Sequence, residues 1–342
     1  MTRARIAKQI PPGFSLDVDF DLGPGVTALF GPSAAGKTLI LEAMAGFARP
    51  DSGRILLNDV ILFDAAARVS VAPRLRGCGY VSQRDALFPH MTLRRNLLFA
   101  ARSSPRLERS RRAAETMERF QLAALSGARP SEMPPPERLR GALARALLAS
   151  PKLLLIDERG IGETLLRAVR AAFSGPILLV TGDLDLCSAA ADQLLLLEAG
   201  RIAQAGAART VCDHPASAQA ARLLGIPNIF AGAITALDPS RNTSRLEFDG
   251  FALAGPYIPG HFRGDRVSVA VRAESLRVHS GDLERPPNAV AAALVRVSRR
   301  VRDVRLEFSG GIFADVSHAE FERQKDNTSW QVEFPPEALR VL

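Results

Sequence analysis

Gly31-Pro32-Ser33-Ala34-Ala35-Gly36-Lys37-Thr38 fits the pattern G-x-x-x-x-G-K-[ST], a loop whose backbone wraps phosphate groups. Upstream, Val26-Thr27-Ala28-Leu29-Phe30 is a short apolar run rich in strand formers. Downstream, Leu39-Ile40-Leu41-Glu42-Ala43-Met44-Ala45 reads as a helix closed by Gly46. The pattern carries meaning only between a strand and a helix, and both flanks are present. Glycine lets the backbone curl so that successive N–H groups point inward at phosphate oxygens, and the following helix adds the positive end of its dipole. Gly31, Pro32, Ser33, Ala34, Ala35, Gly36, Lys37 and Thr38 are therefore the expected nucleotide-binding residues. The Lys37 ammonium is expected to reach the β- and γ-phosphates and the Thr38 hydroxyl to ligate Mg²⁺.

The chain has 342 residues, which is long for one core and predicts about two domains. At 47% hydrophobic and 23% charged it has the composition of a soluble globular protein. No apolar run approaches the ~18–20 residues that span a bilayer. The basic N-terminus, MTRARIAKQIPPG, lacks the apolar core of a signal peptide, so a cytoplasmic location is expected and any membrane role needs partner subunits. Cys78, Cys187 and Cys212 are scattered without metal or disulfide spacing and read as reduced thiols. The net charge of +8 comes almost wholly from arginine, with only four lysines, and is spread along the chain. Its densest cluster, Arg102 to Arg119, is interleaved with Glu108, Glu115 and Glu118. It reads as a solvated helical face rather than a nucleic-acid patch.

Residues 1–30 read as antiparallel strands, Phe14-Ser15-Leu16-Asp17-Val18-Asp19-Phe20 alternating apolar and polar. Phe14 reads either as an adenine-stacking ring or as an inward-facing strand residue. Further strands are expected at 52–58 and 78–82, the latter ending at Gln83, and Thr92 is placed to cap a helix through Leu98. Helices are expected at 107–125, 137–148 and 163–173. Leu153-Leu154-Leu155-Ile156 is a continuous apolar run ending at Asp157-Glu158, as a parallel strand buried on both faces requires. A strand at 176–180 and a hairpin-like pair at 194–202 complete this part. From Pro227 the pattern changes to short alternating strands with glycine turns, at 266–271, 289–297, 304–308 and 329–334. Two segments, Glu274-Ser275-Leu276-Arg277-Val278 and Glu337-Ala338-Leu339-Arg340-Val341, share E-x-L-R-V and suggest related halves of a small barrel.

The order phosphate loop, Gln83, then Asp157-Glu158 at the end of an apolar strand resembles the ATP-binding subunits of ABC transporters. Gly79-Tyr80-Val81-Ser82-Gln83 with Leu87-Phe88-Pro89-His90-Met91-Thr92 is similar to that family's Q-loop. Residues 137–147 are similar to the helix after its signature, and Leu153 to Glu158 to its Walker B strand. The stretch Leu223-Leu224-Gly225-Ile226-Pro227-Asn228 and the β-rich C-terminus resemble importers with a TOBE/MOP-type domain, molybdate-import subunits above all. The resemblance implies an α/β P-loop NTPase domain at 1–227, followed by an all-β, OB-like domain at 228–342. It also implies ATP and Mg²⁺ as cofactors, transmembrane permease subunits, a second ATP-binding subunit in a homo- or heterodimer, and, indirectly, a substrate-binding protein outside the membrane. The chain would then lie on the inner face of the cell membrane. Asp157 and Gln83 join Thr38 as expected metal contacts; of the two expected catalytic residues, Glu158 orients or deprotonates the attacking water, and Gln83 contacts metal and water while sensing the transmembrane partner.

Three departures touch one site. Met133-Pro134-Pro135-Pro136 stands where the family has the LSGG signature, whose serine and backbone N–H groups clasp the γ-phosphate on the opposite subunit. Proline has no N–H, yet it can start the next helix. Thr181-Gly182-Asp183 replaces the switch histidine by Gly182, and Arg159-Gly160-Ile161-Gly162 stands in a shortened D-loop. Two readings follow: an importer ATPase, or a subunit that binds ATP and hydrolyses little, acting in a heterodimer or as a regulatory paralogue. A third, a nucleic-acid-binding P-loop protein, lacks an aromatic-rich strand face for base stacking, Tyr257 and Trp330 being far apart.

Overall fold

The computed structural model describes residues 2–82, 87–102, 105–157, 160–280 and 286–342. The chain divides into two compact units, Met1–Asp213 and His214–Leu342. That division falls before the composition change at Pro227, because a short helix joins the second unit ahead of its first strand.

The first unit runs β1 (Thr2–Ile10), β2 (Phe14–Leu22), β3 (Gly25–Phe30), α1 (Lys37–Ala45), β4 (Ser52–Leu57), β5 (Val60–Asp64), β6 (Val69–Ser70) and β7 (Cys78–Val81). It continues through α2 (Leu93–Ala100), α3 (Arg106–Arg119), α4 (Pro135–Leu148), β8 (Leu153–Asp157), α5 (Glu163–Ala172), β9 (Pro176–Val180), α6 (Leu184–Ala190), β10 (Gln193–Glu198), β11 (Arg201–Ala207) and α7 (Ala208–Asp213). One sheet has the order β2-β1-β4-β5-β6 and the other β11-β10-β3-β9-β8-β7. In the second sheet β10, β3, β9, β8 and β7 pair in parallel, and β11 is the antiparallel edge.

Burial explains the continuous apolar run of β8. Leu154 and Ile156 pack in a core cluster with residues of α2 to α6, while Leu153 and Leu155 pack in a second one with α1 and the antiparallel sheet. Both faces are thus covered, and alternation along a strand turns Asp157 to the α1 side with Leu153 and Leu155. On β2 the same alternation buries Leu16, Val18, Phe20 and Leu22 and leaves Asp17, Asp19 and Asp21 exposed.

Several helix limits follow from local chemistry. Thr92 caps α2, its hydroxyl accepting the Arg95 N–H at 3.3 Å. The expected 107–125 helix stops at Arg119, because Gln121 turns left-handed at φ 57° and a short 3₁₀ turn, Ala123–Leu125, follows. Among the described residues no helix is long and apolar enough to cross a membrane.

The second unit begins with α8 (Ala218–Leu223) and continues with β12 (Asn228–Asp238), β13 (Thr243–Phe248), β14 (Phe251–Pro256), β15 (Arg266–Val271), β16 (Arg277–Ser280), β17 (Ala289–Ala291) and β18 (Leu294–Arg299). The rest is β19 (Val304–Phe308), β20 (Ile312–Val316), α9 (His318–Gln324), β21 (Trp330–Glu333) and β22 (Arg340–Val341). Its sheets run β14-β13-β12-β15-β22, β16-β21-β17 and β18-β19-β20, an architecture compatible with an OB-like domain. The expected strand at 289–297 is two strands that join different sheets. The E-x-L-R-V echo recurs as structure, since each copy is a 3₁₀ turn, a buried leucine (Leu276, Leu339) and a strand. The copies nevertheless enter different sheets.

Candidate functional site

The carboxyl ends of parallel strands are where open α/β sheets gather ligand-binding loops. The register here brings three of them level, since Asp157 of β8 pairs with Val180 of β9, and Val180 with Leu29 of β3. The phosphate loop, the Thr181–Asp183 turn and Asp157 therefore emerge together at one sheet edge. Val81 of β7 pairs with Ile156, which brings the chain just ahead of Gln83 to the same edge. Gln83 and Glu158 themselves lie outside the described residues.

Leaving β3, the chain passes so close to β10 that a Cβ on Gly31 would sit 2.0 Å from the Leu197 carbonyl oxygen. Pro32, Ser33 and Ala34 are exposed, Ala34 turning left-handed at φ 62°, and Ala35 is buried again. The Ala35 carbonyl accepts the Gly200 N–H at 3.2 Å, which ties the loop to the β10–β11 turn. Gly36, at φ 101°, begins α1 with no side-chain cap, so the first N–H groups of this helix keep their capacity for an external acceptor. The Phe14 ring lies behind the loop, its Cζ 3.0 Å from where a Gly36 Cβ would stand. Its position is thus a partly buried one beside the phosphate loop. Lys37 Nζ donates to the carbonyls of Gly31 and Pro32, each at 2.7 Å, and Thr38 is exposed in the first turn of α1.

Asp157 is only 4% exposed. Its Oδ1 is buried with no hydrogen-bond partner among the described residues, a costly arrangement for a carboxylate unless something else meets it. Tyr80 stands in the same field: burial first, and then the charges of Asp157 and Glu42, push its phenol up to about 12. Just after β9, the Thr181 hydroxyl accepts the Asp183 N–H at 3.1 Å and Asp183 caps α6 by accepting the Leu186 N–H at 3.0 Å. Between them a Cβ on Gly182 would meet nothing within 4 Å, so no neighbouring atom requires glycine at this turn.

Pro134 occupies the N-cap of α4 with φ −57° and ψ 153°, and the helix starts at Pro135. Its first backbone bond runs from the Arg138 N–H to the Pro134 carbonyl at 3.0 Å. Glu137 supplies the first main-chain N–H after Met133, which is itself buried. The three prolines thus start a sound helix and remove its terminal donors. Gly162 caps α5 with no side-chain bond.

Sequence reading alone missed Asn96. This fully buried side chain accepts the Phe88 N–H at 2.7 Å and donates to the carbonyls of Phe88, Met91 and Thr92, each at 3.2 Å. It pins the loop that follows Gln83. The signal available was a lone asparagine on the apolar face of a short helix. Among the described residues no cluster of three or more His, Cys, Asp or Glu could hold a metal ion by protein ligands alone.

Residues 16–159 match the ABC transporter family model, a span that holds the phosphate loop, the Gln83 segment and Asp157. A 291-residue alignment at 34% identity joins the chain to the molybdenum import ATP-binding protein ModC of Paramagnetospirillum magneticum, covering 81% of this chain and 78% of that one. The chain belongs to the ABC transporter ATP-binding family. A second relative in this family, the molybdate/tungstate import ATP-binding protein WtpC of Archaeoglobus fulgidus, is 39% identical over 202 residues, 56% of this chain and 82% of that protein. The ModC of Rhodospirillum rubrum is 40% identical over 209 residues, 58% of this chain and 56% of that one. Among solved structures, an ATP-binding subunit of an ABC transporter superposes with TM-score 0.53 at 22% identity, covering 62% of this chain and 91% of that one. A dimeric ATP-binding cassette bound to ADP and Pi gives 0.52 at 18% identity, with 61% and 99% covered. Both share the ABC fold. The family match ends at residue 159, so Gly160-Ile161-Gly162 and the Gly182 turn lie beyond it.

Proposed function

We propose that this chain is the ATP-binding, energising subunit of an importer for molybdate or a related oxyanion. The observation that carries this reading is the ModC alignment, which extends beyond the first unit to 81% of the chain. In this reading the chain docks as a peripheral subunit on the cytoplasmic face of transmembrane permease subunits. It meets a second ATP-binding subunit and serves a substrate-binding protein on the far side of the membrane. Binding of ATP closes the pair and hydrolysis reopens it.

Within the chain the uncapped start of α1 and the curled loop supply N–H groups to the β- and γ-phosphates. Lys37 turns from the Gly31 and Pro32 carbonyls to the same phosphates. The residues present fit Mg²⁺: Asp157 offers a buried carboxylate oxygen without a partner among the described residues, at the level of the loop that carries the Thr38 hydroxyl. Hard oxygen donors with substrate phosphates suit that ion, which when bound neutralises charge on the phosphates. Gln83 contacts metal and water and senses the transmembrane partner, and Glu158 orients or deprotonates the attacking water. Asp157→Asn is expected to hold or raise the unfolding temperature of the nucleotide-free chain, since it removes a buried charge. The same change weakens ATP binding about tenfold in Mg²⁺ and far less in EDTA. Paired thermal and nucleotide titrations read both.

A second reading, an ATP-binding subunit that turns over little by itself and pairs with a different cassette, is favoured by Pro134, Pro135 and Pro136 at the start of α4. One experiment separates the two. The chain with its permease is assayed for ATP binding and hydrolysis beside Lys37→Ala, which loses about 10²–10³-fold in turnover if the lysine acts on the phosphates. Wild-type turnover well above that control supports the first reading. ATP binding with turnover no higher than the control supports the second, and absence of ATP binding overturns both.

A further inference from the structure

α1 carries Lys37 and Thr38 at one end, and its other end is held by a residue from outside the phosphate loop. The last turn of α1 has no basic residue of its own. The Glu42 carbonyl accepts the N–H groups of Gly46, Phe47 and Ala48, at 2.8, 2.8 and 3.2 Å. The Ala43 and Met44 carbonyls are met by Arg76, whose Nη1 donates to them at 2.7 and 3.0 Å. Arg76 Nε donates to the Val71 carbonyl at 2.8 Å, so the guanidinium joins α1 to the chain just ahead of β7. The residue is only 3% exposed. Gly46 makes room for it: a Cβ there would stand 2.5 Å from Arg76 Nε, and the φ of 90° favours glycine in any case. The neighbouring Cys78 thiol is pushed up to about 11 by burial and stays neutral. Among the described residues no ion pair of Arg76 with a carboxylate occurs, and its guanidinium donates to three main-chain carbonyls.

A buried cation on the carbonyl end of a helix complements the dipole whose positive end faces the ligand. Little solvent screens it there, and α1 has nine residues, a rod of about 13 Å. We propose that Arg76 is a positioning residue for the nucleotide site. It fixes the axial register of α1, so that Lys37, the Thr38 hydroxyl and the first N–H groups are already placed to meet the phosphates when ATP arrives. The inference rests on the ATP-binding reading above.

The test compares wild type, Arg76→Met and Arg76→Lys in the full-length chain. The measurements are ATP titration, thermal unfolding, and hydrogen exchange of the α1 amides without nucleotide. Arg76→Met is expected to weaken ATP binding about tenfold and to speed exchange along α1, while Arg76→Lys, which keeps the charge but loses the fork, weakens binding about threefold. Equal ATP affinity in wild type and a folded Arg76→Met, within about twofold, with only a lower unfolding temperature, makes the residue merely structural and overturns the proposal. Should Arg76→Met fail to fold, Arg76→Lys decides on the same two outcomes. Wild type that fails to bind ATP overturns the nucleotide reading instead, which keeps the two failures apart.

Discussion

Gly31→Ala is expected to abolish ATP binding and to lower the unfolding temperature of the first unit by about 6–12 °C, for a cost of roughly 3 kcal/mol. The added Cβ would stand 2.0 Å from the Leu197 carbonyl oxygen and 3.0 Å from its carbon, and neither belongs to a side chain that can swing aside. Either β3 or β10 must move, in the parallel pair that holds the phosphate loop. The Gly31 carbonyl is also one of the two that hold Lys37 Nζ, so the displaced loop loses its lysine anchor. Gly36→Ala sharpens the contrast. Its Cβ meets the ends of the Leu16 and Phe14 side chains, which can yield, and its strain comes from φ 101°. Gly182→Ala is the control, because nothing lies within 4 Å of its Cβ, and it is expected to shift stability by no more than about 0.5 kcal/mol. Thermal unfolding of the three variants and ATP titration check the order. A Gly31→Ala protein that melts like wild type would show that the loop can leave β10 freely.

What the sequence made legible was local. The phosphate loop, the Thr92 cap, the proline start of α4 and the doubly buried β8 each rest on residue types a few positions apart, so a single reading frame contains the cause. Gly31 was legible as a loop glycine, but its need to be glycine comes from Leu197, far along the chain. Arg76 was unreadable for the same reason, since the α1 carbonyls that it meets lie about thirty residues upstream. The end of α3 escaped notice because its left-handed residue is Gln121, and glutamine, unlike glycine, announces no such turn. The strand expected over 289–297 failed at Ala292-Ala293, where a continuous apolar run, Ala289 to Val295, passes through a break between two sheets. Tertiary pairing decided those points.

Pro134→Ser, Pro135→Gly and Pro136→Gly combined with Gly182→His are expected to raise ATP turnover by about 10–100-fold over wild type at saturating ATP. The size follows from the donors that return. One hydrogen bond to a charged group, ~1.5–3 kcal/mol, is about 10–100-fold at tenfold per 1.4 kcal/mol, the least that two main-chain N–H groups and a hydroxyl at a charged phosphate should return. The scaffold can bear the change. Pro134 already has the extended φ and ψ of an N-cap with no side-chain bond, a position where serine adds about 1 kcal/mol and offsets part of the ~1 kcal/mol that each new glycine costs. Met133 is buried behind them, and at Gly182 nothing lies within 4 Å of an added Cβ and no positive φ strains a side chain. Adding Lys37→Ala to the restored chain must remove the gain, which ties it to the phosphate loop rather than to a contaminant. Equal turnover in wild type and restored chain would mean that the prolines do not limit the reaction. A large gain would mean that this subunit keeps a nucleotide half-site intact while lacking, at the start of α4, what a partner needs from it. Its natural partner would then be a cassette that does not depend on that helix for its own turnover.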